Sequence, residues 1–295
     1  MAVAKVARPG APEEAGALFV AATPIGNLDD VSTRLKTVLG RVSCVAAEDT
    51  RRTGTLLRSL GIRVPLVSLH AHNERSRIPE LLARLQAGDD LVLASDAGTP
   101  GISDPGMRLV LEARQSGIRV TPLPGPCAAV AALSVAGFPA DRFHFEGFLP
   151  SRQAARRTRL KQLKAVPETL VFYEAVHRLA AALQDMQKVL GSERKAFLAR
   201  ELTKIHESAY GDTLAELCAA AAAGEIVARG EFTLVVAGGV PQEQDERALD
   251  AVLRPLLEEL PTRQAARLAA SITGCPRRLA YGRALAVRAS PGPDS

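Results

Sequence analysis

The chain of 295 residues has only four cysteines, Cys44, Cys127, Cys218 and Cys275, far apart and with no CxxC pair. A zinc site or a disulfide framework is therefore not expected; small buried thiols in a reducing compartment are. His70 and His72 could share one strand face, but no carboxylate or thiol partner stands near them in sequence, so no metal is expected. No apolar run approaches the roughly 20 residues that cross a bilayer. The first residues, MAVAKVARPGAPEE, lack the apolar centre of a secretory signal. No membrane partner and a cytoplasmic location are the resulting expectations. Neither GxxxxGK[ST] nor GxGxxG occurs, which excludes a P-loop and the dinucleotide fingerprint. Aromatics make up 4% of the chain and do not interleave with basic residues, so stacking platforms for bases are not evident. No heptad repeat marks a coiled coil.

What is present is ordinary in bulk: 47% hydrophobic, 23% charged and a net charge of +5, from 37 basic and 32 acidic residues. The length suffices for two domains with cores of their own. From Leu18 to Leu123, short apolar strands alternate with amphipathic helices. The strand candidates are Leu18–Ala22, Ser43–Ala47, Leu66–Leu69, Leu91–Ser95 and Arg119–Leu123, and Pro79–Gln86 is a helix candidate. Such alternation predicts a mostly parallel sheet with helices on both faces. A small-residue helix, Ala128–Ala136, follows the PGP turn. The strand pattern restarts at Phe143–Phe148, where alternating phenylalanines suggest strand core, and continues near Thr169–Tyr173, Ala196–Arg200 and Phe232–Ala237.

The expected organisation is a disordered extension over 1–16, one α/β domain over 17–125, a second over 126–239, a linker over 240–246, a helical module over 247–288 and a disordered tail over 289–295. In the module, Thr262 can cap a helix after Pro261, with Leu268 and Ile272 four apart. Thr273–Gly274 breaks that helix, and Pro276 suits the first turn of the next, Arg277–Val287. Eight arginines face three acids between Arg247 and Arg288, in a pattern like a helix-turn-helix.

The most informative stretch is Leu91–Gly106, LVLASDAGTPGISDPG, a strand that runs into a stiff polar loop of glycines and prolines. Loops at the carboxyl ends of strands are where α/β sheets place small-molecule sites. Its companions are ATPIGN, AAEDTRRT, PLPGP, FYEAVHR, RELTKIHE and GEFTLVVA, each beside a strand candidate. In order, spacing and wording these blocks resemble the tetrapyrrole-methylase fold, the class III S-adenosylmethionine-dependent methyltransferases. TPIGNLDD, AEDTRRT, SDAGTPGISDPG, FEGFLP, FYEAVHR and ELTKIHE are similar, more narrowly, to the branch that methylates the 2′-oxygen of a cytidine in small-subunit ribosomal RNA.

The resemblance covers about Leu18 to Gly239 together with the helical tail. It implies two α/β domains with S-adenosylmethionine in the cleft between them, a homodimer, and 16S RNA or an assembled 30S subunit as partner. By matching block it implies cofactor contacts at Pro24, then at Ser95, Asp96, Ala97, Gly98, Thr99, Gly101 and Ile102 in the long loop. Further contacts fall at Pro124 and Gly125, at Phe172 and Tyr173, and at Phe232 and Thr233.

A sugar hydroxyl is a poor nucleophile until its proton is taken, so a general base is sought. Candidates are Glu48 and Asp49, whose other role would be to cap a helix or pair with Arg51 and Arg52, and Lys204 and Glu207, three apart. His206, Asp96 and Asp104 are further options. Arg152, Arg156, Arg157, Lys161 and Lys164, in a stretch without acids, form the clearest nucleic-acid signal. Arg157, Lys161 and Lys164 fall on one helix edge that could follow a phosphate backbone, or could be a solvated face. Two other readings stay open. One is a C-methyltransferase acting on a precorrin or uroporphyrinogen; the other is a non-catalytic RNA-binding or ribosome-assembly factor, which would not need so stiff a loop.

Overall fold

The computed structural model describes residues 15–239 and 246–289. The first part of the chain folds as β1 (Ala17–Ala21), α1 (Thr33–Leu39), β2 (Cys44–Ala47), α2 (Thr50–Ser59), β3 (Leu66–Ser68), α3 (Glu74–Gln86), β4 (Leu91–Ala94), α4 (Met107–Gln115) and β5 (Arg119–Leu123). The strands are apolar at every buried position, as strands covered on both faces must be. They form one parallel sheet in the order β3-β2-β4-β1-β5. One face packs Phe19, Val45 and Val92 against Leu35, Val38 and Leu57 of α1 and α2. The other packs Leu18, Leu91 and Leu93 against Ile78, Leu81 and Leu109 of α3 and α4. The expected helix over Pro79–Gln86 begins earlier, at Glu74, because Asn73 closes the preceding turn by accepting the His70 N–H at 2.8 Å.

The chain continues through α5 (Ala128–Val135), β6 (Phe143–Phe148), α6 (Gln153–Leu163), β7 (Thr169–Ala175), α7 (Leu179–Leu190), β8 (Ala196–Arg200), β9 (Ser208–Tyr210), α8 (Leu214–Ala222) and β10 (Glu231–Val236). This second sheet has the order β6-β7-β10-β8-β9; β6 and β7 are parallel and the other pairs antiparallel. Its inner face packs Val171, Ala199 and Val235 against Ala129, Ala132 and Leu133 of α5, whose small side chains let the helix lie close. The short strand β9 has no counterpart among the sequence candidates; three residues carry too little pattern to register.

Both sheets belong to one compact unit, residues 15–160 and 169–237, and the expected seam near residue 125 falls between the sheets inside it. Residues 161–168 group with the C-terminal segment in a second unit. That unit contains α9 (Glu246–Glu259), α10 (Thr262–Thr273) and α11 (Arg277–Ala289). Its core sets Leu249 and Leu253 against Ala266, Ala269, Ala270, Ala280 and Ala284. Leu268 and Ile272 face outward, at 38% and 65% exposure, so alanines make the inner face of α10. Thr262 does not cap α10: Pro261 holds the cap position, and the Thr262 hydroxyl accepts from Arg288 at 2.6 Å. Gly274 ends the helix as the sequence predicts.

The expected extension falls mostly on residues outside the described ones, but Gly16 is held by its N–H bond to the Leu85 carbonyl at 2.9 Å. The expected linker also lies outside the described residues, except for Glu246, which opens α9. The tail beyond Ala289 lies outside them too.

Candidate active site

The strand-end loops of the first sheet are tied to one another. Thr23 and Gly98 exchange backbone hydrogen bonds of 2.8 and 3.0 Å, which joins the loop after β1 to the loop after β4. The Thr99 hydroxyl donates to the Pro126 carbonyl at 3.1 Å, joining that loop to the turn after β5. The Asp96 N–H donates to Glu48 at 3.2 Å and the Asp49 N–H to Asp96 at 3.0 Å, joining it to the loop after β2. The long loop is thus held on three sides, which is how a connection without secondary structure keeps one shape.

A cavity of about 360 Å³ opens where this loop meets the second sheet, within the range of small-molecule sites. From the first sheet it is lined by Ile25, Ala97, Gly98, Thr99, Ile102, Ser103 and Asp104. Cys127 and Ala128 come from the start of α5, and Phe148, Tyr173–Val176 and Gly230–Thr233 from the second sheet. The two parts meet closely at Ser103 and Gly147. A side chain at Gly147 would bring a Cβ within 2.9 Å of the Ser103 hydroxyl, and the φ of +71° there bends β6 at a bulge. Ser103 itself is left-handed, at φ +67°. Tyr173 stands edge-on to Phe145 and Phe148, with ring centroids 5.0 and 5.7 Å away. Its hydroxyl accepts the Ala129 N–H at 3.1 Å, satisfying an open donor of the first turn of α5. Burial, and the thiol of Cys127, push its pKa up, so it stays protonated.

Of the residues that the matched blocks imply, Ala97, Gly98, Thr99, Ile102, Tyr173, Phe232 and Thr233 line the cavity. Pro24, Ser95, Asp96, Gly101, Pro124 and Gly125 do not. Ser95 is buried behind the loop, and Gly101 sits at φ +83° with open space where a Cβ would stand. Phe172 is 1% exposed, and strand alternation turns it to the face opposite Tyr173. Asp104, an option for the base, does line the cavity. Phe148, assigned to strand core, lines it instead and is 53% exposed, because the bulge at Gly147 puts it on the face of Phe145, beside Tyr173. Glu231 and Glu174 also line it; both lie in quoted blocks but carried no role.

Each of the four residues proposed as catalytic has structural partners. Asp49 caps α2, accepting from the Arg51 N–H at 2.8 Å and pairing with its guanidinium at 2.6 Å. These bonds hold its carboxyl far below the usual carboxylate range, so it is a poor base. Glu48 receives the Asp96 N–H. The Lys204 ammonium lies 2.7 Å from Glu201 and 3.1 Å from Glu231. Burial draws its pKa down, but the two carboxylates outweigh that and raise it, so it stays charged. Glu207 is exposed and accepts the Thr203 N–H. That turn carries two left-handed residues, Glu201 at φ +53° and Thr203 at +66°, a costly shape that the Lys204 bridge holds beside the cavity wall.

The basic stretch is also partly committed. Arg156 is 4% exposed and lies 2.6 Å from Asp185, which holds Arg157 at the same distance from its other oxygen. Arg156 is therefore a buried structural arginine, because α6 turns it against α7. Arg152, Lys161 and Lys164 are exposed.

The family model of tetrapyrrole (corrin/porphyrin) methylases matches residues 17–218, and that of the RsmI C-terminal HTH domain matches 243–288. The ribosomal RNA small subunit methyltransferase I of Pseudomonas aeruginosa is 52% identical over 92% of this chain and 97% of its own length. The protein of that name from Escherichia coli O157:H7 is 50% identical over 92% of this chain and 95% of its own. Among solved structures, uroporphyrin-III C-methyltransferase from Thermus thermophilus in complex with S-adenosyl homocysteine has a TM-score of 0.53 at 17% identity, over 77% of this chain and 98% of that one. A diphthine synthase has a TM-score of 0.57 at 14% identity, over 75% of this chain and 89% of that one. The fold is theirs, and the chain is a methyltransferase that belongs to the tetrapyrrole methylase family and, within it, to the ribosomal RNA small subunit methyltransferase I proteins.

Proposed function

We propose that this enzyme uses S-adenosylmethionine to methylate the 2′-oxygen of a cytidine ribose in small-subunit ribosomal RNA. The observation that carries the reading is a small-molecule cavity without lysine or arginine in a chain half identical to the small-subunit RNA methyltransferases. The described lining holds three carboxylates, Asp104, Glu174 and Glu231, and no lysine or arginine. Such a wall offers a polycarboxylate no cationic partner, which sets the precorrin reading behind the RNA one.

The residues fit this cofactor. At Gly98, with φ +78°, the backbone carries no side chain into the cavity; an added Cβ would stand 3.5 Å from Ile25 and 3.7 Å from the Pro126 carbonyl. Gly98, Thr99, Ala128 and Thr233 would hold the cofactor through the wall they form, with Tyr173 and Phe148 giving apolar faces. When bound, S-adenosylmethionine supplies a methyl group on a sulfonium, whose departure leaves a neutral thioether. The protein's part is to exclude water, orient the ribose hydroxyl and receive its proton. No metal is required for that division of labour.

Exposed Arg152, Lys161 and Lys164, on and flanking α6, with the arginines of the helix-turn-helix unit, supply the charge that draws an RNA backbone. An assembled 30S subunit as substrate, a homodimer and a cytoplasmic site of action belong to the same reading. The test is mass mapping of small-subunit RNA nucleosides from cells with and without the gene. Loss of one 2′-O-methylcytidine is expected; an unchanged nucleoside profile would sink the reading.

A further inference from the structure

We propose that Asp104 is the group that takes the proton from the ribose hydroxyl. The inference deepens the ribose-methylation reading and rests on it. Three carboxylates line the cavity, and two already have partners. Glu231 is bonded to Lys204 at 3.1 Å; Glu174 lies 3.3 Å from Arg178 and accepts the Ala175 N–H at 2.9 Å through one oxygen, and at 5% exposure its other oxygen is buried. Among the described residues no ion pair involves Asp104. The Ser95 hydroxyl, just after β4, donates to the Ala97 and Gly98 carbonyls at 3.4 and 3.5 Å, and the charges that act on Asp104 are Glu48, after β2, and Asp96, both negative. Across the cavity stands the protonated phenol of Tyr173, with Cys127 at the start of α5. Glu74 of α3 is turned away, accepting the N–H groups of Gly106 and Arg108 at 3.2 Å.

Its carboxylate neighbours Glu48 and Asp96 do not line the cavity. Glu48 is bonded by the Asp96 N–H, and Asp96 by the Asp49 N–H with Arg52 at 3.5 Å. The backbone fixes Asp104 where it is: left-handed Ser103 precedes it, seated against Gly147 at the bulge of β6. Burial and like charge push its carboxyl up to about 6. It is then ionised at neutral pH and more basic than an ordinary carboxylate, the condition for a general base. In the step, the ribose O–H bond breaks as the Asp104 O–H bond forms, and the oxygen keeps the electron pair with which it bonds to carbon. The neutral acid returns its proton to water after product leaves.

The test compares wild-type enzyme with Asp104→Asn and Asp104→Glu, using small subunits from cells lacking the gene. Asp104→Asn should lower kcat by about 10²–10⁴-fold. Its calorimetric Kd for S-adenosylmethionine and its KM for the subunit should stay within about threefold of wild type. The wild-type kcat/KM should rise with pH through a midpoint near 6 and level off. That limb should vanish in Asp104→Asn and persist, at a lower plateau, in Asp104→Glu. Removing a repelled charge should leave the melting temperature unchanged or higher; if Asp104→Asn fails to fold, Asp104→Glu decides, and its loss of the acid limb overturns the proposal. So does an Asp104→Asn enzyme with wild-type kcat, or one restored by saturating cofactor, which would make Asp104 a cofactor ligand. A wild-type enzyme that methylates another position overturns the function reading itself, a result the product analysis separates from the others.

Discussion

At the scale of single residues, a charged side chain in this protein is defined by what faces it. Asp185 is 1% exposed between Arg156 and Arg157, whereas Asp104 is partly buried and acted on by the negative charges of Glu48 and Asp96. Burial raises the Asp185 pKa, but its bonds to Arg157 and Arg156 outweigh that and lower it. A depressed carboxyl stabilises the fold above its unfolded pKa of about 3.9, and that stabilisation is lost as pH falls through the lower folded value. Asp185→Ala, which leaves Arg156 buried without its partner, should cost about 3–5 kcal/mol in urea unfolding at pH 7. The difference from wild type should narrow in acid, below the folded pKa. Asp49 gives the opposite kind of prediction. Because asparagine caps a helix as well as aspartate does, Asp49→Asn should keep kcat within about threefold in the methyl-transfer assay. A collapse in kcat at unchanged stability would return Asp49 to the chemistry.

At the scale of elements, α6 shows how a helix divides a run of like charge. Its sequence is basic throughout, but Arg156 and Arg157 are held by Asp185, and Arg159 by Glu146 at 2.6 Å. Phosphate binding then falls to the exposed positions. The double variant Arg152→Gln, Lys161→Gln should reduce the slope of log K against log salt for RNA binding by about 1.5 units, while cofactor affinity stays the same. An unchanged slope would make this edge a solvated surface only. Strand β6 carries a second lesson. Phe145 and Phe148 stand three apart, which in an unbroken strand puts them on opposite faces, but the bulge at Gly147 brings Phe148 to the face of Phe145, beside Tyr173 and over the cavity. Period-two patterning assumes an unbroken register, and one extra residue reverses the face of all that follow.

At the scale of the whole molecule, the cavity lining lies entirely within residues 15–160 and 169–237, and the helix-turn-helix unit is compact by itself. A chain ending at Gly239 should therefore bind S-adenosylmethionine with a Kd within about threefold of the full chain. Its apparent KM for the small subunit should rise more than its kcat falls, the mark of binding energy shared by ground and transition states. An unchanged KM would deny the C-terminal unit any docking role, and lost cofactor binding would show that the α/β unit depends on it.

By itself the sequence determined the parallel first sheet, through apolar strands spaced by amphipathic helices, and it marked the loop Leu91–Gly106 as a ligand site through its glycines and prolines. Those features are local, and local patterning survives into the fold. Only the tertiary structure decided which acids and bases remain available. Glu48, Asp49, Lys204 and Arg156 have the chemistry for function and are engaged elsewhere, each by a partner that includes contacts with another strand, loop or helix or with the first turn of its own helix. Asp104 stands out because folding brings the negative charges of Glu48 and Asp96 to bear on it at the cavity wall. Electrostatic environment depends on distances between segments far apart in the chain, and sequence spacing does not contain those distances.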